Sequence, residues 1–188
     1  MNRNDDQAGQ NAPAPARPEI PGYAAPSRVL HWLVAGLVFL TWPLGLMIGF
    51  VRKEVSLDFY MVHESLGFLV LWLMLLRIGA RLLTPQPVEF GTPLERMAAR
   101  AVHLLLYVTL VTSPLSGFLA TNAHGFPFSW FGILPVWSPL GKNPDVAWLL
   151  SAIHVASAWT MLALLALHLS AVVMHHVIRR DITLLRML

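Results

Sequence analysis

VAWLLSAIHVASAWTMLALLALHLSAVVMHHVI, residues 146–178, runs for 33 positions without an Asp, Glu, Lys or Arg, yet it holds four histidines. A helix rises about 1.5 Å per residue, so about 20 apolar residues cross the roughly 30 Å hydrocarbon core of a bilayer. The run therefore reads as a membrane span longer than the core requires. Its last turns, His175 to Arg180, are expected to reach the headgroup layer. A polar ring placed in oil costs free energy unless it finds a partner, so histidines inside such a run need a chemical reason.

Outward from this span the pattern recurs three times. Val29 to Val51 carries no charge. Phe59 to Leu83 is interrupted by His63-Glu64 and closed by Arg77 and Arg81. Leu94 to Asn122 contains Ser113-Pro114, where a kink is expected. The reading is an all-α integral membrane protein, a four-helix up-and-down bundle over residues 27–188. Its spans lie near 29–51, 59–83, 94–122 and 146–178. Residues 1–26, rich in Pro, Ala, Asn and Gln, are expected to form a disordered polar tail. No apolar stretch follows Arg3 closely, so the tail does not read as a signal peptide.

Composition agrees. Hydrophobic residues make up 56% of the chain and charged residues 12%, about half the charge of a typical soluble domain. No nucleic-acid partner is expected. The absence of cysteine excludes disulfides, iron–sulfur clusters, thiolate-held metals and covalent c-type haem. A metal or cofactor must therefore rest on His, Met or oxygen. Arg3, Arg17, Arg28, Arg77, Arg81, Arg96, Arg100, Arg179, Arg180 and Arg186 fall on one side of the expected topology. Arg52, Lys53 and Lys142 fall on the other. That asymmetry places both termini in the cytoplasm, and the aromatic loop Gly125 to Phe131 outside.

Among the eight histidines, four form a pattern. His154 and His168 lie fourteen residues apart on one face of the last span, about 21 Å along its axis. That is too far for one metal and suits two haems stacked along a bundle. Depth matches His31 with His168 at the cytoplasmic side, and His63 with His154 at the external side. Two neutral imidazoles per haem make a six-coordinate centre suited to electron transfer. Gly36, Gly45, Gly49 and Gly67 could let a macrocycle approach the backbone, though small residues also serve ordinary helix packing. A lone buried histidine usually bonds a carbonyl; four matched by depth and face favour haem iron. Transport of another transition metal is the haem-free alternative, and it would be expected to use more intramembrane carboxylates than Glu64.

Arg28-Val29-Leu30-His31-Trp32, His63-Glu64-Ser65-Leu66-Gly67, His103-Leu104-Leu105-Leu106-Tyr107 and Pro114-Leu115-Ser116-Gly117 point to a known pattern. With the ending His154, His168, His175-His176, Arg180-Asp181 and Leu184 to Met187, they resemble the bacterial cytochrome b561 family. The resemblance spans nearly all of residues 23–188 and is nearest to the small quinone-linked members. It implies two non-covalent haems b on His31, His168, His63 and His154, and ubiquinone as redox partner. One branch looks like superoxide oxidase, which passes electrons from periplasmic superoxide to ubiquinone. The other reading within the family is a membrane-anchor subunit accepting electrons from a dehydrogenase or hydrogenase.

The remaining polar residues are assigned around that frame. His103 and His175, with Arg77, are expected to line a cytoplasmic quinone site, because quinone reduction needs a proton donor. The plainer reading is that either histidine bonds a haem propionate or a lipid headgroup. Arg77 is also placed to pair with a propionate, while Arg81 reads as simple anchoring. Met161 reads as packing between the haems, and His124 and His176 as interfacial. Arg52, Lys53 and Lys142 would form a weak positive funnel for an anionic donor.

Overall fold

The computed structural model describes residues 22–50, 53–89 and 91–188. The expected disordered tail of residues 1–26 lies, for residues 1–21, outside the described residues. Four helices carry the chain: α1 (Ala25–Met47), α2 (Lys53–Leu83), α3 (Pro93–His124) and α4 (Pro144–Val173). A π-helical turn, Met174–Arg179, extends α4, and a short 3-10 helix, Leu185–Met187, ends the chain. Between α3 and α4, β1 (Ser129–Trp130) pairs antiparallel with β2 (Leu134–Pro135), with Ser129 opposite Pro135.

The helix ends follow local chemistry. Pro26 opens α1, where its missing N–H is not needed. Thr92 caps α3 in a reciprocal box: its hydroxyl accepts from the Glu95 amide (3.3 Å), while the Glu95 carboxylate accepts from the Thr92 amide (2.8 Å). Gly125, at φ 95°, closes α3 in the left-handed conformation that glycine adopts without strain. The Asn143 side chain accepts from the Asp145 amide at the start of α4.

Each helix is long and apolar enough to cross a bilayer: Ala25–Met47, Val55–Leu83, Pro93–His124 and Pro144–Arg179. Most of their large apolar side chains, Phe39, Trp72, Leu104 and Trp159 among them, face outward, as a protein solvated by lipid requires. The chain is a four-helix membrane bundle. Some boundaries shift from the sequence reading. α1 starts and stops about one turn early, and α2 begins at Lys53. Pro114 lies inside α3.

The bundle is built as two helical hairpins. α1 packs along α2 and α3 along α4, and the hairpins meet mainly through α2 and α3. Between α1 and α4 a specific bridge is the Trp42 indole N–H, which donates to the Ala158 carbonyl at 3.3 Å. The core at mid-height gathers Val34 and Val38 of α1, Val70 and Met74 of α2, Leu106 of α3 and Met161 of α4. The starts of α1 and α3 and the ends of α2 and α4 lie together at one end, the terminal end, which also holds Leu188. The β-hairpin covers the opposite end.

Candidate functional site

Two pairs of imidazoles bridge the helical hairpins. His31 of α1 faces His168 of α4 with ring centroids 6.4 Å apart and planes inclined at 67°. His63 of α2 faces His154 of α4 at 6.0 Å and 82°. The first pair lies at the terminal end and the second at the hairpin end. All four rings are half-buried.

An imidazole nitrogen binds a transition metal at about 2 Å and the ring centre lies about 1 Å behind it, so two rings on one ion have centroids about 6 Å apart. Both pairs meet this spacing. At the hairpin end the tautomers are also set. His63 Nδ1 donates to the Thr41 carbonyl (2.9 Å), and His154 Nδ1 donates to the Ser113 carbonyl (2.7 Å). A carbonyl only accepts, so Nδ1 carries the hydrogen and Nε2 keeps the lone pair a metal needs. The residues fit a six-coordinate iron porphyrin at each level.

A family model for prokaryotic cytochrome b561 matches residues 22–188. The chain belongs to that family. It is 33% identical to cytochrome b561 homolog 2 of Escherichia coli K12, over 88% of this chain and 90% of the relative. It is 30% identical to the probable superoxide oxidase CybB of Yersinia pestis, over 85% and 91%. Cytochrome b562 of Cereibacter sphaeroides is also 30% identical, over 89% and 96%. Membership in the cytochrome b561 family implies haem b and membrane electron transfer, and so gives the paired histidines a cofactor to hold.

Two glycines make the hairpin-end pair of this cytochrome b561 chain. A Cβ on Gly45 would stand 2.5 Å from His63 Cε1, and one on Gly117 would stand 2.9 Å from His154 Nδ1. In each case the carbonyl that accepts from the histidine lies four residues before the glycine, Thr41 for Gly45 and Ser113 for Gly117. A helical carbonyl points toward residue i+4, so a missing side chain there opens it to a ring from the neighbouring helix. Of the four glycines singled out from sequence, only Gly45 meets another residue closely. Gly36, Gly49 and Gly67 have nothing within 4 Å of a built Cβ, and Gly117 was not among the four.

At the terminal end His103 lies against His168, centroids 5.4 Å apart, so three imidazoles gather there. Arg77 donates to the Ser27 carbonyl (2.8 Å) and stands 5.8 Å from the centre of the Tyr107 ring. Arg81 lies over the same ring at 5.9 Å. His175 is paired instead with Asp181, Nδ1 to Oδ2, at 2.5 Å. Met161 is buried in the core between the two levels. His124 bonds the Ser151 hydroxyl at 3.1 Å, and His176 is exposed. Of the expected funnel, Arg52 and the Lys53 side chain lie outside the described residues, and the Lys142 stem lies along Gly125.

Sequence reasoning assigned no contact to two further groups beside His63. Glu64 accepts from the Thr121 hydroxyl at 2.7 Å, tying α2 to α3 inside the membrane. Ser65, fully buried, holds the β-hairpin: its hydroxyl accepts from the Phe131 amide (2.8 Å), and its carbonyl accepts from the Trp130 indole (3.2 Å). The hairpin thereby covers the His63–His154 end.

Proposed function

We propose that this chain carries two haems b and passes electrons across the membrane from an external one-electron donor to ubiquinone, with superoxide as the donor. The observation that carries the reading is the pair of inter-helical imidazole spacings, 6.4 Å and 6.0 Å, each suited to one shared iron. His31 and His168 would hold one haem, and His63 and His154 the other. The probable superoxide oxidase of Yersinia pestis, matched over most of both chains, supports superoxide as donor. The basic residues gathered at the terminal end support a cytoplasmic position for that end in the bacterial inner membrane.

Haem b supplies a one-electron carrier when bound. The chain does the rest. Imidazoles from two helices would hold each haem and leave its iron without a free site for oxygen. The Thr41 and Ser113 carbonyls hold the hairpin-end rings in one tautomer and orientation. The apolar bundle keeps water from the centre. At the cytoplasmic end Arg77 supplies a fixed positive charge for a propionate or a quinone oxygen, and His103 and His175 supply protons. The reaction balances as two superoxide ions giving up one electron each to become two dioxygen molecules. Ubiquinone takes both electrons and two cytoplasmic protons to become ubiquinol.

A reduced-minus-oxidised visible spectrum and a haem count per chain test this. Wild type should hold two haems, and His154→Ala and His168→Ala one each. Unchanged haem content in both variants would rule out the ligand assignment.

A further inference from the structure

The last helix does not simply stop. After Val173 it widens into a π-helical turn over Met174–Arg179, and Arg180 then adopts the left-handed conformation at φ 52°. Single π turns inside helices recur at functional sites, and a non-glycine residue at positive φ is uncommon. Here the two distortions bring Asp181 back onto His175. The Asp181 amide donates to the His175 carbonyl at 3.1 Å. The His175 Nδ1 and Asp181 Oδ2 stand 2.5 Å apart, and the second carboxylate oxygen accepts from the Thr183 amide at 2.9 Å. Arg179, inside the turn, is ion-paired with Glu95 at the start of α3, which fastens the turn to the bundle. The His175 side chain is 19% exposed and that of Asp181 33%, so the carboxylate stands nearer water than the ring.

We propose that Asp181 is a positioning residue for quinone reduction: it binds His175 Nδ1 and leaves Nε2 to deliver protons to the quinone. This deepens the proposed function and rests on its assignment of His175 to the quinone site. A carboxylate on one imidazole nitrogen fixes the tautomer and orientation of the ring, as in other acid–base pairs built on histidine. In the transfer the Nε2–H bond breaks as an O–H bond forms on a quinone carbonyl oxygen that has received an electron from the external donor. The ring then regains a proton from cytoplasmic water, and Asp181 remains ionised throughout. Burial pushes its carboxyl up, but the hydrogen bonds from His175 and Thr183 outweigh this and hold it down at about 2.

The test uses the full haem-loaded chain in detergent, chemically reduced and mixed with a short-chain ubiquinone, with haem reoxidation followed by absorbance. Asp181→Asn should lower the maximal rate by about tenfold or more, the scale of a lost acid–base contribution. Half-saturating quinone should change by less than about twofold, because binding is untouched. Asp181→Glu should recover most of the rate, and haem content should match wild type. Independently of turnover, the downfield Nδ1 proton of His175 in 15N-histidine spectra should vanish in Asp181→Asn. If that variant fails to assemble, Asp181→Ser, which keeps a hydroxyl for the Thr183 amide, gives the same readings. A wild-type rate in Asp181→Asn beside a slow His175→Gln overturns the role of Asp181 alone. A wild-type rate in His175→Gln removes His175 from the quinone site, and the proposed site and this inference fall together.

Discussion

His154 leans on a residue that has no side chain: a Cβ on Gly117 would stand 2.9 Å from its Nδ1, the nitrogen that donates to the Ser113 carbonyl. Gly45 stands in the same relation to His63 on the other helical hairpin. The two contacts make the hairpin-end imidazoles approach each other from opposite sides with the same local device.

Gly117→Ala and Gly45→Ala should therefore act on cofactor content more than on helix formation. Alanine favours an isolated helix over glycine by up to about 1 kcal/mol. At these two positions its methyl would push the ring off its carbonyl and out of line with its partner. Haem analysis should give close to one haem per chain for either variant. Gly79→Ala, where nothing lies within 4 Å, should keep the wild-type content. Full haem content in both Gly117→Ala and Gly45→Ala would show that ring placement does not depend on these glycines.

Ser65→Ala should free the β-hairpin while leaving α2 intact. The substitution removes the side-chain acceptor that Ser65 offers the Phe131 amide, and a typical intramolecular hydrogen bond contributes about 0.5–1.5 kcal/mol. Phe131 already sits at φ 49°, a strained conformation that the hydrogen bond helps to hold. Limited proteolysis should cut between residues 129 and 137 faster in the variant than in wild type. Equal cleavage rates would mean that the buried aromatic contacts of Phe128 with Phe68 and Phe118 suffice to hold the hairpin.

What could be read directly from the chain was whatever lipid dictates. Spans must be long, apolar and helical, so Val146 to Ile178 and its three counterparts announce themselves, and the depths of His31, His63, His154 and His168 follow from where each span begins. What could not be read depends on which helix lies beside which. Gly117 meets His154 across 37 residues of chain, and periodicity within α3 carries no sign of it. A usable signal exists in hindsight: Thr41-Trp42-Pro43-Leu44-Gly45 and Ser113-Pro114-Leu115-Ser116-Gly117 both set a hydroxyl residue four before a glycine, with proline between. The end of α4 was illegible for a different reason. Its apolar run continues to Ile178, but the π turn and the return of Asp181 are set by contacts with Glu95 and His175 that composition does not report.

The carboxylate of Asp181 gives the terminal turn a definite response to acid. Its folded value, about 2, lies below the ordinary 3.8. The stabilisation it contributes is therefore fully present above about pH 4 and is lost as pH falls through the folded value. With the Asp181 side chain 33% exposed, solvent and salt screen the effect, so a local reporter is needed rather than global unfolding. The Thr183 amide is that reporter, since it donates to Asp181 Oδ1 at 2.9 Å. Its hydrogen-exchange protection, taken relative to the intrinsic rate at each pH, should be level above about pH 4 and fall steadily toward pH 2. In Asp181→Asn, which has no charge to lose, the same protection should be lower at neutral pH and flat across the window. Protection that rises on acidification would reverse the sign of the linkage and mean that the carboxyl is held neutral, not charged, in the folded turn.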